Sequence, residues 1–112
     1  MVNRYVTERG DIVWLDFDPQ TGKEQKGRRP ALVLSHEIYN KKVGLCLFCP
    51  VTSKVKGYPF EVVIPDHNQV RGVILSDQVR SLDWTVRNVE YIDRVDHRTL
   101  QKVISLIQKL FN

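Results

Sequence analysis

Thiols, histidines and long apolar runs are all scarce in this 112-residue chain. No segment approaches the ~20 consecutive apolar residues that a membrane-crossing helix needs, and residues 1–9 lack the apolar core of a secretory signal. Both absences predict a cytoplasmic protein with no membrane contact. His36, His67 and His97 are isolated from one another, so no metal constellation is visible and no cofactor is expected. Cys46 and Cys49 have a Cys-x-x-Cys spacing, but they lie in the apolar stretch 43–51, which has strand character. Residues three apart on a strand face opposite sides of a sheet, so the pair reads as two structural thiols rather than a redox or metal pair. Internal repeats and low-complexity tracts are absent too. The length suits one domain, residues 1–112, with room for one core.

What is present is a series of short apolar runs divided by Gly, Pro and Asp. Gly10–Phe17 alternates, with Val13, Leu15 and Phe17 on one side and Ile12 and Trp14 on the other. Pro30–Leu34, Leu45–Val51, Phe60–Ile64, Gly72–Leu75 and a weaker run from Val86 to Val95 complete a set of six expected strands. The segment from His36 to Lys42 reads as a loop or a single helical turn. Only at the end does the period change, where Leu100, Val103, Ile104, Ile107, Leu110 and Phe111 recur every three or four residues behind Asp96, an N-cap residue. The fold expected is mainly β, a small and mostly antiparallel barrel or curled sheet closed by a C-terminal helix.

Charge is concentrated in two loops. Residues 22–30 sum to +3 and residues 50–59 to +2, against +4 for the whole chain, so the remainder is close to neutral. A positive excess confined to two loops that also carry a carboxylate, an amide and hydroxyls suits a phosphate-bearing partner. Lys26, Arg28, Lys54 and Lys56 supply much of that excess. Arg29 stands immediately before Pro30 at the lip of a strand, where its fork of donors matches two phosphodiester oxygens. Thr52 ends the third strand and offers a hydroxyl; if that strand lies beside the one starting at Pro30, the two residues meet at one rim.

Glu24 and Gln25 form a polar pair in the first loop, where a carboxylate beside an arginine either takes a proton or orients the guanidinium. Asp77 and Gln78, with Arg80 behind them, sit at another rim position where polar side chains read base edges or cap a turn. Tyr58 is placed to stack on a base; Phe60 and Trp84 share the neighbourhood, with burial the better default for both.

These residues, in this order, resemble the MazF/PemK family of toxin endoribonucleases, and most closely its MazF branch. The resemblance runs through 10–19, Gly22, Glu24-Gln25, Gly27, Arg29–Ser35, Pro50-Val51-Thr52, Lys56–Val62 and Asp77–Ser81. It implies an SH3-like barrel, related to the CcdB and PemK folds, working as a homodimer. It also implies cleavage of single-stranded RNA at short recognition sequences without a metal, restrained by a cognate MazE-like antitoxin. The family's catalytic arginine and threonine carry over to Arg29 and Thr52, and its functional acid to Glu24.

RNA brings its own nucleophile in the 2′-hydroxyl, so alignment and charge stabilisation suffice for cleavage to a 2′,3′-cyclic phosphate and a 5′-hydroxyl. Arginine is a poor base at neutral pH, which makes Glu24 the better proton acceptor. An acidic antitoxin tail is expected over the same basic loops. Two other classes remain open: a non-catalytic binder of single-stranded nucleic acid, and a CcdB-like poison of gyrase. The loop residues favour the ribonuclease.

Overall fold

Alternation sets the first strand. In the computed structural model, which describes residues 5–17 and 27–112, β1 (Asp11–Phe17) buries Val13, Leu15 and Phe17 on one face and Ile12 on the other, leaving Trp14 exposed. β1 lies between β2 (Gly27–Val33) and β7 (Glu90–Arg94), antiparallel to both. The expected Asp18-Pro19 turn, together with Glu24, Gln25 and Lys26, lies outside the described residues.

β2 continues into the short helix α1 (Glu37–Val43), which ends on Gly44. The N–H of Gly44 donates to Asn40 O at 3.0 Å with φ +81°, the left-handed conformation that glycine adopts without steric cost. Next comes β3 (Leu45–Thr52), which divides its edge between two partners. Leu45–Phe48 pairs with β6 (Arg80–Asp83), while Val51 and Thr52 pair with β5 (Val73–Leu75), which in turn pairs with β4 (Glu61–Val63).

The strand order is β4-β5-β3-β2-β1-β7, with β6 beside the first half of β3. The sheet is therefore curled but not closed, which corrects the expected barrel: β4 and β7 stand at the two ends of the path and do not pair with each other. Two of its strands are only three residues long, and β3 turns from one partner to another instead of carrying the ladder around.

There are seven described strands rather than the six expected. β6 holds one buried apolar residue, Leu82, so its sequence carries no alternating signal. The run beginning at Val86 is not one strand. Trp84–Val86 is a single 3₁₀ turn, capped by Asp83 through a 2.9 Å bond accepted from the Thr85 N–H, and β7 starts only at Glu90.

Two apolar clusters cover the two faces of the sheet. Cys49, Val51, Ile74 and Val62 belong to the one beneath α2 (His97–Lys109); Cys46, Phe48, Leu15 and Val33 belong to the other. The two thiols thus face opposite ways along β3, and both are free. As the cap pattern predicts, Asp96 Oδ1 accepts from the Thr99 N–H at 2.8 Å. Leu100 and Val103 bury against the sheet, with Ile104 and Ile107 packed beside them. Leu110 and Phe111 depart from the expected stripe. They follow the last helical residue and are exposed, Phe111 by 84%.

One charge is buried with compensation. Asp11 receives hydrogen bonds from the Tyr5 hydroxyl, from Arg94 Nη1 at 2.7 Å and from the Glu8 N–H at 3.2 Å, fastening the start of the described chain to β7.

Candidate active site

Strand pairing brings the two foremost candidates to one rim. The β2–β3 ladder places Ala31 opposite Pro50, and the two strands run on from there to Arg29 and Thr52. Arg29 Nη1 donates to Val51 O at 3.5 Å, so the guanidinium lies against the end of β3. The Thr52 side chain is almost fully buried, and its Oγ1 accepts from the Lys54 N–H at 3.2 Å. That bond occupies a lone pair and leaves the hydroxyl proton available to donate. Beneath it runs Gly72, in the connection between β4 and β5.

In front of this rim opens a cleft of about 830 Å³. Arg29, Thr52, Ser53, Lys54 and Lys56 form one side. Tyr58, Glu61, Asp77 and Gln78 also line it. Tyr58 Oη donates to Asp77 Oδ2 at 2.7 Å, and this bond raises the phenol's pKa, so the hydroxyl stays protonated at neutral pH. The Tyr58 ring is tilted against Phe60 at 5.9 Å. Both lysines are exposed, so their charges face solvent at the cleft.

Arg28 also borders the cleft, but its charge is answered within the fold. Nη1 donates to Asp16 Oδ1 at 2.9 Å and Nη2 to Glu90 Oε1 at 2.6 Å, joining β2 to β1 and β7. These bonds raise the guanidinium's pKa, Asp16 contributing most. Asp16 is held below the usual carboxylate range by the Asn88 amide first, at 2.7 Å, and then by Arg28. Arg80 is not brought to the cleft. It stands on β6 with its guanidinium 5.6 Å from the centre of the Phe17 ring, a cation–π contact.

Of the residues singled out in the sequence, Arg28, Arg29, Thr52, Lys54, Lys56, Tyr58, Asp77 and Gln78 therefore share one cleft. Glu24, Gln25 and Lys26 fall outside the described residues. Glu61, Ser53 and Arg71 line the cleft without having been anticipated. A cue for Glu61 existed: an acid at the head of a strand, five residues past Lys56, lies within reach of the turn's backbone N–H groups. No cluster of three or more His, Cys, Asp or Glu side chains suited to a metal ion occurs among the described residues. Nor, among them, is any helix long and apolar enough to cross a membrane.

Residues 8–111 match the family of PemK-like, MazF-like toxins of type II toxin-antitoxin systems. The chain belongs to this family. It is 47% identical over 110 residues to the endoribonuclease toxin MazF of Escherichia coli K12, covering 98% of each chain. The fold agrees with the crystal structure of MazF from Deinococcus radiodurans, with a TM-score of 0.92 and 50% identity over 96% of this chain and 97% of that one. A crystal structure of MazE-MazF from the same organism matches at a TM-score of 0.87 and 48% identity, over the same shares of the two chains.

Proposed function

We propose that this chain is the toxin of a type II toxin-antitoxin pair, a single-domain endoribonuclease that cuts single-stranded RNA without a metal and so arrests translation. The observation that carries the reading is the meeting of Arg29 and Thr52 at the mouth of a lysine-bearing cleft, in a chain almost half identical to an endoribonuclease toxin.

The reaction follows from the chemistry of RNA. The substrate's 2′-oxygen attacks the adjacent phosphorus, the bond from phosphorus to the 5′-oxygen breaks, and the products carry a 2′,3′-cyclic phosphate and a 5′-hydroxyl. Arg29 stabilises the charge that builds on the non-bridging oxygens, and the Thr52 hydroxyl donates to one of them. The proton leaving the 2′-hydroxyl goes to a carboxylate, for which Glu24 is the residue of choice, while the departing 5′-oxygen takes up a proton from water. Lys54 and Lys56 attract the backbone; Tyr58 offers a face for stacking, and Asp77 and Gln78 offer polar atoms to base edges.

The partner inferred is a MazE-like antitoxin whose acidic tail covers the same cations, in keeping with the MazE-MazF assembly of the Deinococcus relative. The working unit is taken to be a homodimer acting in the cytoplasm, where messages are translated.

The test is incubation of the purified protein with a long defined RNA and the matching DNA in the presence of a chelator, followed by mapping of the new ends. Cuts in RNA alone, at a short recurring sequence and bearing 5′-hydroxyls, are expected. Arg29→Ala should lower the rate roughly a hundred- to thousand-fold while the protein stays folded, and Thr52→Val should act similarly. Intact RNA from folded wild-type protein would overturn the reading.

A further inference from the structure

The segment between Thr52 and β4 carries Lys54, Lys56 and Tyr58 into the cleft yet belongs to no strand or helix. Its shape rests on Glu61. Oε1 of that side chain accepts from the Gly57 N–H at 3.0 Å and the Lys56 N–H at 3.3 Å, and Oε2 accepts from the Lys56 N–H at 3.1 Å. Successive N–H groups next to a residue of positive φ form a nest that fits an anion, and Gly57 has φ +78°. The carboxylate from the first residue of β4 fills the nest of its own preceding loop. At the other end of this segment, the Lys54 N–H donates to Thr52 Oγ1.

We propose that Glu61 is a positioning residue for RNA cleavage. By holding the Lys56-Gly57 turn it fixes the path of residues 53–57, which keeps the Lys54 N–H on Thr52 Oγ1 and so orients the threonine hydroxyl toward the substrate. This rests on the ribonuclease reading above. Glu61 itself does not touch the reacting atoms. A negative side chain on the wall of an RNA cleft is unfavourable for a polyanion unless the fold uses it, and here both of its oxygens are committed to backbone donors.

The test compares wild type, Glu61→Ala, Glu61→Gln and Arg29→Ala on a short fluorescent RNA under single-turnover and steady-state conditions. Glu61→Ala should lower kcat roughly ten- to a hundred-fold, since a displacement of about 1 Å at a reacting group costs that much. Glu61→Gln keeps an acceptor oxygen and should stay within about threefold of wild type, the effect of weakening one hydrogen bond.

Three results would overturn the proposal. One is a kcat for Glu61→Ala equal to wild type, whatever happens to Tm. The second is equal behaviour of the Ala and Gln variants with KM lowered in both, which would make Glu61 a source of repulsion only. The third applies if Glu61→Ala does not fold: Glu61→Asp, which keeps the charge but falls one carbon short of the nest, should then show the loss of kcat, and an unaltered kcat would sink the idea. Wild type that cuts, with Arg29→Ala silent and Glu61→Ala unimpaired, defeats this inference alone; wild type that does not cut defeats the ribonuclease reading.

Discussion

Gly72 lies against the carbonyl of Thr52 so closely that a Cβ on the glycine would stand 2.3 Å from that oxygen and 3.2 Å from the Cα of Ser53. The glycine also has φ +124°, which L side chains rarely adopt. The β4–β5 connection thus passes directly under the residue expected to donate to the scissile phosphate.

Gly72→Ala should consequently damage both stability and cleavage. Nothing soft is in the way: the clashing atoms are backbone, so relief requires the end of β3 to move. A loss of about 1–3 kcal/mol in unfolding free energy is expected, with cleavage falling by more than the loss of folded protein accounts for. Denaturant unfolding and single-turnover cleavage measured on the same preparation would check this; wild-type activity in a destabilised variant would show that Thr52 tolerates the shift.

Glu90→Gln should strengthen RNA binding. Arg28 borders the cleft but shares its charge with Asp16 and Glu90, and Glu90 is mostly exposed, so its removal costs little stability, ~0–1 kcal/mol. Freed of one carboxylate, the guanidinium faces the phosphates with more of its charge. An all-2′-deoxy oligonucleotide, which lacks the nucleophile, serves as an uncleavable probe. Its affinity should rise at low ionic strength, and the salt dependence should steepen by up to ~0.7 in logarithmic slope. No change in slope would mean that Arg28 does not meet the nucleic acid.

Acid should uncouple Asp16. Its native pKa lies below the ordinary value of about 3.9 because Asn88 and Arg28 favour the ionised form. A depressed carboxylate stabilises the fold above the unfolded pKa, and the contribution is lost as pH falls through the native one. The stability difference between wild type and Asp16→Asn should therefore be steady near neutrality, shrink as pH drops past ~3.9, and vanish below the native value. A difference that persists in strong acid would assign the effect to packing.

The thiols should be silent in the native protein. Cys46 and Cys49 are both fully buried; burial raises the first, and burial with nearby Asp77 pushes the second up to about 12. Thiolate is the reactive form, so a thiol reagent at mildly alkaline pH should find no group in the folded chain and both after denaturation. Rapid native labelling would reveal local opening of β3.

Much of this was legible because it is local. The cap at Asp96, the alternation of β1 and the period of α2 each depend on residues a few places apart. Thr52 was readable as a strand end, and its approach to Arg29 needed only that β2 and β3 be neighbours; Arg29 was expected just before the strand, but β2 begins at Gly27 and Arg29 pairs with Leu15 inside it. β6 was not readable, since Arg80–Asp83 becomes a strand by pairing with β3 and carries one buried side chain of its own. The engagement of Arg28 was hidden for the same reason, as Glu90 lies 62 residues away. The contact of Arg80 with the Phe17 ring was hidden too, because that ring is remote in sequence. Glu61 was missed although its partners are close by, because the turn it fills has no periodicity to read.

The pairing of β1 with β7 also sets an order of events during synthesis. β2 and β3 are made before Glu90, the strand that flanks β1 and the helix that roofs one apolar cluster. A chain made only through β3 therefore lacks Glu90 as a partner for Arg28 and the helix that covers the core behind Thr52. The residues that hold Arg28 and cover the core behind Thr52 are thus made after the strands that carry the reactive rim, so the supports of the cleft assemble after the cleft's own strands.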